Sequence, residues 1–377
     1  MKIVYISNSI IPSRTANSIH VMKMCQAFSD NGHEVVLLAP DLKEQYEKNI
    51  DDVYEYYGVR KNFEIKKLCY PNIKGRAFLY SLSIYWYLMI NNKFDVVYGR
   101  FLHGCYVATL LKNKVIFESH APIYEKKNYE LKLFQKLIKS KYFTKLVVIS
   151  KALKNMYLEN GYLNDHNIYV AHDGADEVNN YEMKIELLGN INSLKIGYVG
   201  HLYKGKGMEV IASIADKVDH DMEFHIIGGL EKDIKLWKEK LKSKNVFFYG
   251  FVSQKEVSRY INSLDICLLP NQKIVNSYGS EKNKNSQNIS EFTSPLKMFE
   301  YMAHKKAIIS SDISVLREVL NEKNSILVDA ENSKEWIEAL EKLKDKKIRN
   351  KLSNEALKNF KSYTWKNRAK ELLIDAF

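Results

Sequence analysis

The chain has 377 residues, 46% hydrophobic and 27% charged, with six prolines and no low-complexity tract, which excludes a disordered or fibrous protein. At this length a single hydrophobic core has stopped growing, so two domains are expected. A formal net charge of +12 suits an anionic partner, whether nucleic acid, an acidic membrane surface or a phosphorylated substrate, and charge alone does not choose among them.

The N-terminus runs straight into a strand pattern, without the apolar stretch and small-residue cleavage site of a signal peptide, so a cytoplasmic location is expected. Strand-type runs at 2–7, 34–39, 96–100, 114–119, 145–149 and 168–171 alternate with longer helical patterns, a βαβ series. The polar stretch 176–193 reads as an interdomain linker. The alternation restarts at 195–199, 223–227, 246–249, 266–269, 306–310 and 325–329. The expected domains are therefore 1–175 and 194–355, with a closing helix, 356–377, whose Trp365, Leu372 and Leu373 pack back toward the first. Two doubly wound sheets in series predict a cleft between lobes, with ligands beyond the carboxyl ends of the strands.

The apolar run 77–90 contains Ser81 and Ser83 and falls short of the roughly 20 residues needed to cross a bilayer. Cys25, Cys69, Cys105 and Cys267 show neither a CxxC pair nor a histidine at ligand spacing, which argues against zinc and predicts buried, reduced thiols.

The most informative segment begins at Thr293. Ser294 suits an N-cap and Pro295 a first helical residue, so a helix start is expected there, with amides and dipole suited to a phosphate. Glu300 lies five residues beyond Pro295, about 7.5 Å along a helix axis, which suits a diphosphate at the start and a ribose at the carboxylate. Leu296, Phe299 and Ala303 are expected to face the core. Read by itself, the segment is equally an ordinary capped helix with Lys297 and Glu300 solvated.

The run SPLKMFEYMAHKKAIISSDISVLREVL at 294–320 resembles the donor-binding segment of the family 4 retaining glycosyltransferases of GT-B fold. IGYVGHLYKGKGMEVI at 196–211 resembles that family's phosphate-binding strand, loop and helix, AHDGAD at 171–176 the end of its first domain, and FESH at 117–120 with LVVISKALK at 146–154 its acceptor-lobe motifs. The resemblance spans nearly the whole chain. It implies two Rossmann-like domains facing across a cleft, the first for the acceptor and the second for a nucleotide-diphosphate sugar.

Carried onto this sequence, the resemblance puts Gly200, His201 and Lys206 at the donor phosphates, with His201 where relatives have arginine. It puts Thr293, Ser294, Pro295, Leu296, Lys297 and Glu300 along the donor, and His120, directly after a strand, at a sugar hydroxyl. Lys206, Glu300 and His120 are the catalytic candidates. Relatives carry a second glutamate eight residues before Glu300, where this chain has Phe292; either Glu291 or backbone amides of 292–294 fill that role. Ala16 and Asn17, in a first loop whose helix is expected near Ile19 with Ser18 as N-cap, are candidates for a close approach to the phosphates. Gly250, Phe251 and Val252 are candidates for the base. Arg14, Arg100 and His103 are read as acceptor-binding or as structurally paired. The polar stretch 271–290 is expected to form a mobile flap.

The triplet Asp219-His220-Asp221 reads as a turn rather than a metal site, and the resemblance implies no metal and no other cofactor, since lysine and helix termini carry the phosphate charge. It also implies a retaining transfer assisted by the departing phosphate, with a uridine donor favoured over guanosine. The stretch 66–90 mixes lysine and arginine with aromatic residues, which suits a membrane interface, although a core helix with surface lysines has the same composition. The expected product is a bacterial surface polysaccharide, such as lipopolysaccharide or capsule, or a lipid-linked glycan, made at the inner face of the membrane without nucleic acid. The alternatives are a nucleotide-sugar epimerase or phosphorylase of two similar lobes and a non-catalytic binder of nucleic acid or another polyanion.

Overall fold

The computed structural model describes residues 1–91, 94–123, 128–275 and 288–374. The chain divides into two compact units, Met1–Asp173 with Trp365–Phe377, and Gly174–Thr364.

In the first unit β1 (Lys2–Ile6), α1 (Ala16–Asp30), β2 (Glu34–Asp41), α2 (Val53–Tyr56), β3 (Glu64–Cys69), α3 (Arg76–Ile90) and β4 (Val96–Gly99) are followed by α4 (Leu102–Leu110), β5 (Val115–Ser119), α5 (Asn128–Ile138), β6 (Phe143–Val148), α6 (Lys151–Glu159) and β7 (Ile168–Val170). The strands hydrogen-bond in the order β3-β2-β1-β4-β5-β6-β7, all parallel. Runs such as Ile3 to Ile6 and Val35 to Ala39 are apolar without alternation because both sheet faces are covered.

The stretch 66–90, read as one basic and aromatic segment, instead divides into β3 and α3. β3 escapes a sequence search because an edge strand tolerates charge, and Glu64, Lys66 and Lys67 leave it no apolar run. Cys69, at its end, is exposed, whereas Cys25, Cys105 and Cys267 are buried. α1 starts before Ile19. Thr15 is the cap and accepts from Ser18 N at 3.2 Å, so Ser18 lies inside the first turn and its hydroxyl donates to Ser13 O and Thr15 O, each at 2.9 Å.

The second unit runs β8 (Leu194–Val199), α7 (Met208–Ile214), β9 (Met222–Ile227), α8 (Glu231–Lys240), β10 (Val246–Gly250), α9 (Gln254–Asn262), β11 (Ile266–Leu269), α10 (Leu296–Ala303), β12 (Ala307–Ser311), β13 (Ile326–Val328), α11 (Ser333–Lys342) and α12 (Lys346–Phe360). Its parallel order is β10-β9-β8-β11-β12-β13, over a core that includes Tyr198, Phe224, Ile266, Leu268 and Trp336. Every strand-type run expected from the sequence falls on a strand of one sheet or the other. Residues 176–193 lie along this unit, held by bonds such as Leu188 N to Tyr249 OH at 2.9 Å and Asn190 N to Glu223 Oε1 at 2.8 Å.

The last helix, α13 (Trp365–Leu373), belongs to the first unit. Trp365, Arg368, Ala369, Leu372 and Leu373 are buried there, and Asn31 Nδ2 donates to Lys366 O at 2.9 Å.

Candidate functional site

In an open parallel sheet, ligands bind where the strand order reverses, because the loops leaving neighbouring strands diverge there. In the second unit that point lies between β8 and β11, whose carboxyl ends lead to the loop carrying Gly200 to Gly207 and to α10. Gly200 passes so close to Gly228 that a Cβ on Gly228 would lie 2.4 Å from Gly200 O. Gly207, at φ 108°, caps α7, and a Cβ there would lie 2.2 Å from Pro270 Cγ. Tyr198 OH donates to His201 O at 2.6 Å and Trp237 Nε1 to Leu202 O at 3.0 Å, which fixes the loop from beneath. The His201 ring lies beside Tyr203 at 5.8 Å.

Lys206 and Lys297 are the cations of this site. Burial lowers Lys206 to about 8. Lys297 sits with its ammonium 3.9 Å from the centre of the Tyr198 ring, and burial followed by the Lys206 charge holds it well below the usual lysine range, against the pull of Glu300. Neither ammonium has a salt-bridge partner among the described residues, although each is half-buried. Two ammonium groups so placed can neutralise an anion with more than one charge.

α10 begins one residue later than expected. Pro295 is the cap, with extended backbone at φ −71° and ψ 122°, and no side chain caps the first turn, so Ser294 is not the N-cap and Pro295 is not the first helical residue. Met298 N returns to Pro295 O at 3.0 Å, which fixes that register. Ser294 is buried and Thr293 half-exposed. Phe299 and Ala303 face the core with Met298, Tyr301 and Met302, whereas Leu296 is only half-buried.

Glu300 Oε1 accepts from Gln254 Nε2 at 2.6 Å. Gln254 opens α9 directly after the loop of Gly250, Phe251 and Val252, in which Gly250 O accepts from Gly228 N at 2.7 Å and Phe251 is exposed. The base-binding candidates are thereby tied to the ribose-binding candidate. Sequence reasoning missed Gln254, since nothing local marks it as the partner of a residue 46 positions away. Glu291 is exposed and accepts from Asn288 Nδ2 at 3.3 Å, while Phe292 is buried. Most of the flap expected at 271–290, residues 276–287, lies outside the described residues.

In the first unit His120 follows β5. Its Nε2 lies 2.7 Å from Glu118 Oε1, and its ring meets that of His20 edge-on at 4.8 Å. Burial and the Arg100 charge push His120 down to about 4, against the pull of Glu118, so its ring is neutral at pH 7. Glu118 is buried and also bonds Tyr98 OH and Arg368 Nη2, the latter at 2.7 Å. Burial alone would raise its carboxyl, but Arg368 and the two histidines hold it well below the usual range. His20 Nδ1 is 2.8 Å from Asp173 Oδ1, and its Nε2 is 3.1 Å from Glu118 Oε1 without hydrogen-bond alignment. Sequence reasoning missed His20, Glu118, Asp173 and Arg368, which only the fold assembles.

Arg100 follows β4, and its Nη1 is buried without a hydrogen-bond partner among the described residues. His103 stacks on Phe101 at 5.2 Å. Arg14 is paired bidentately with Glu47, Nε to Oε2 at 2.8 Å and Nη2 to Oε1 at 2.6 Å. Ala16 is exposed at the start of α1, and Asn17 donates to Ser9 Oγ at 2.6 Å. The fold thus brings Arg100 to His120, while Arg14 is occupied by Glu47.

A family model described as Glycosyltransferase Family 4 matches residues 18–178, and one described as Glycosyl transferases group 1 matches 193–346. The chain belongs to the family 4 glycosyltransferases. It is similar to an uncharacterized glycosyltransferase of Methanocaldococcus jannaschii, 25% identical over 98% of this chain and 97% of the relative. Its fold is similar to that of Anabaena HepE in complex with UDP and glucose, at TM-score 0.70 and 12% identity over 99% of this chain and 98% of that one. It is also similar to the apo form of the lipopolysaccharide outer core galactosyltransferase WaaB, at TM-score 0.66 and 15% identity over 100% and 99%. The two sheets are those of a GT-B enzyme, and the family matches are to glycosyltransferases rather than to an epimerase or a nucleic-acid binder.

In this glycosyltransferase, His20, His120 and Asp173 present ligand-type atoms within 4.8 Å of one another. A cation there would have to displace the bonds of His20 to Asp173 and of His120 to Glu118 and lie near the Arg368 guanidinium, so the group is a hydrogen-bond network in chemical character. Asp219 and Asp221 both reach Lys344, Asp221 at 3.7 Å, in the turn before β9.

Proposed function

We propose that this glycosyltransferase binds a nucleoside-diphosphate sugar on its second unit, with uridine as the base, and transfers the sugar with retention to a glycan or lipid-linked acceptor. The single observation that supports this most is the pair Lys206 and Lys297, two half-buried ammonium groups without a salt-bridge partner among the described residues, beyond the ends of β8 and β11. A diphosphate supplies the missing charge, and Glu300, held by Gln254, accepts the ribose hydroxyls. Phe251 and its neighbours meet the base. The HepE complex with UDP and glucose supports the choice of uridine, and the likeness to WaaB supports a role in bacterial surface polysaccharide.

In the reaction the bond from the anomeric carbon to the diphosphate oxygen breaks and its electron pair stays on the diphosphate. Lys206 and Lys297 stabilise that developing charge without a metal. The acceptor oxygen bonds the anomeric carbon from the face the diphosphate leaves, and its proton passes to the leaving group. The neutral ring of His120, fixed by Glu118, orients a sugar hydroxyl. A thermal-shift panel of UDP, GDP and ADP tests the donor, because a ligand of the native state raises its melting temperature. UDP is expected to give the largest rise, and equal shifts or none would contradict the assignment.

A further inference from the structure

A helix covering a parallel sheet buries one face and is expected to be polar on the other. α3 is not. Tyr80, Ile84 and Leu88 form its buried face, while Phe78, Leu82, Trp86, Met89 and Ile90 point outward, Phe78 70% and Ile90 72% exposed. Spacings of four and three residues join these side chains into one ridge. Beyond Arg76 the helix has no charged residue, and residues 65–94 include no aspartate or glutamate. The exposed Lys74 stands at the helix start with the half-buried Arg76, whose guanidinium lies 5.2 Å from the centre of the Tyr70 ring and donates to Asn72 Oδ1 at 3.3 Å.

That start lies at the carboxyl edge of the first sheet. Tyr80 OH donates to Ser7 O at 2.6 Å and to Leu38 O at 3.0 Å. The Tyr80 ring meets Phe101 at 5.3 Å, and Phe101 stacks on His103. The basic end of the ridge is thus one aromatic layer from His103 and Arg100.

We infer that α3 docks this unit onto an anionic lipid bilayer, with the ridge at the boundary of headgroups and acyl chains and Lys74 and Arg76 on lipid phosphates. An apolar stripe with Lys74 and Arg76 at one end has the chemistry of such a surface, and the carboxylates near its other end, Glu64 and Glu34 beside Tyr87, are paired with Lys66 and Lys2. A second copy of the chain fits less well, because an isologous contact would set Lys74 and Arg76 against a stretch without carboxylates. The inference rests on the lipid-linked acceptor reading and adds where the lipid lies, beside Arg100 and His103.

Flotation with phosphatidylcholine vesicles, with and without phosphatidylglycerol, tests it. The protein is expected to float with the anionic vesicles, to lose that in Leu82→Gln/Trp86→Gln, and to bind about fivefold more weakly for each charge removed in Lys74→Gln and Arg76→Gln. Leu236→Gln, an exposed apolar position in the second unit, is the control and should float as the parent does. No flotation at low salt, flotation unchanged by the α3 variants, or a dimer in sedimentation that those variants dissolve would overturn the inference. UDP binding, measured on the same proteins, is expected to be unchanged; its absence from the parent would remove the donor reading and leave the docking result standing.

Discussion

Gln254 Nε2 donates to Glu300 Oε1 at 2.6 Å, linking the first residue of α9 to the middle of α10. A hydrogen bond to a charged acceptor contributes about 1.5–3 kcal/mol, and here it fixes the carboxylate rotamer rather than the fold. Gln254→Leu is expected to weaken UDP binding by about tenfold or more in isothermal titration, with a nearly unchanged melting temperature. Gln254→Glu, which sets two carboxylates together, should weaken it further.

Lys206 and Lys297 are destabilising in the free protein, because burial opposes their charge. Lys206→Met is therefore expected to raise the melting temperature by a few degrees while removing most UDP affinity, a trade of stability against function. An unchanged affinity would exclude Lys206 from the phosphate site.

The same lysine sets a pH dependence. In the free protein Lys206 releases its proton near 8, and a bound diphosphate raises that value. UDP affinity is thus expected to fall as pH rises through about 8, with proton uptake on binding near and above that pH. Titrations in buffers of different ionisation enthalpy measure the uptake.

His120, His225 and His304 are each pushed by burial down to about 4 from an ordinary value near 6.5. The folded state favours their neutral rings, so their contribution is complete above pH 6.5 and is lost as pH falls toward 4. Denaturant unfolding across that interval should show stability declining with acid, and a flat profile would contradict the burial argument.

Removing one partner of a buried ion pair strands the other. Glu118→Gln leaves Arg368 without its carboxylate and is expected to destabilise the first unit by about 3–5 kcal/mol. UDP binding to the second unit should persist, while transfer falls because an uncharged amide oxygen holds the His120 ring less firmly than the carboxylate.

The strands were legible because parallel sheets covered on both faces demand apolar runs, as in Ile3 to Ile6 and Ile266 to Leu269. β3 was not, because its edge position relaxes that demand and admits Lys66 and Lys67. The start of α10 was readable only to within one residue, since both Ser294 and Pro295 suit a helix entry. Lys206, Lys297 and Glu300 lay in motifs that local sequence preserves. The partners of the site residues were not readable: Gln254 meets Glu300, and Arg368, His20 and Asp173 gather around Glu118 and His120, only after distant strands pair, and no spacing rule reaches that far.

The central claim is that Lys206 and Lys297 hold the diphosphate of a nucleotide sugar. Isothermal titration of UDP into the parent protein and into Lys206→Ala/Lys297→Ala, with EDTA present, tests it most directly. Metal-independent binding by the parent and its loss in the variant are the predicted result. Equal binding by both, or none by the parent, would contradict it.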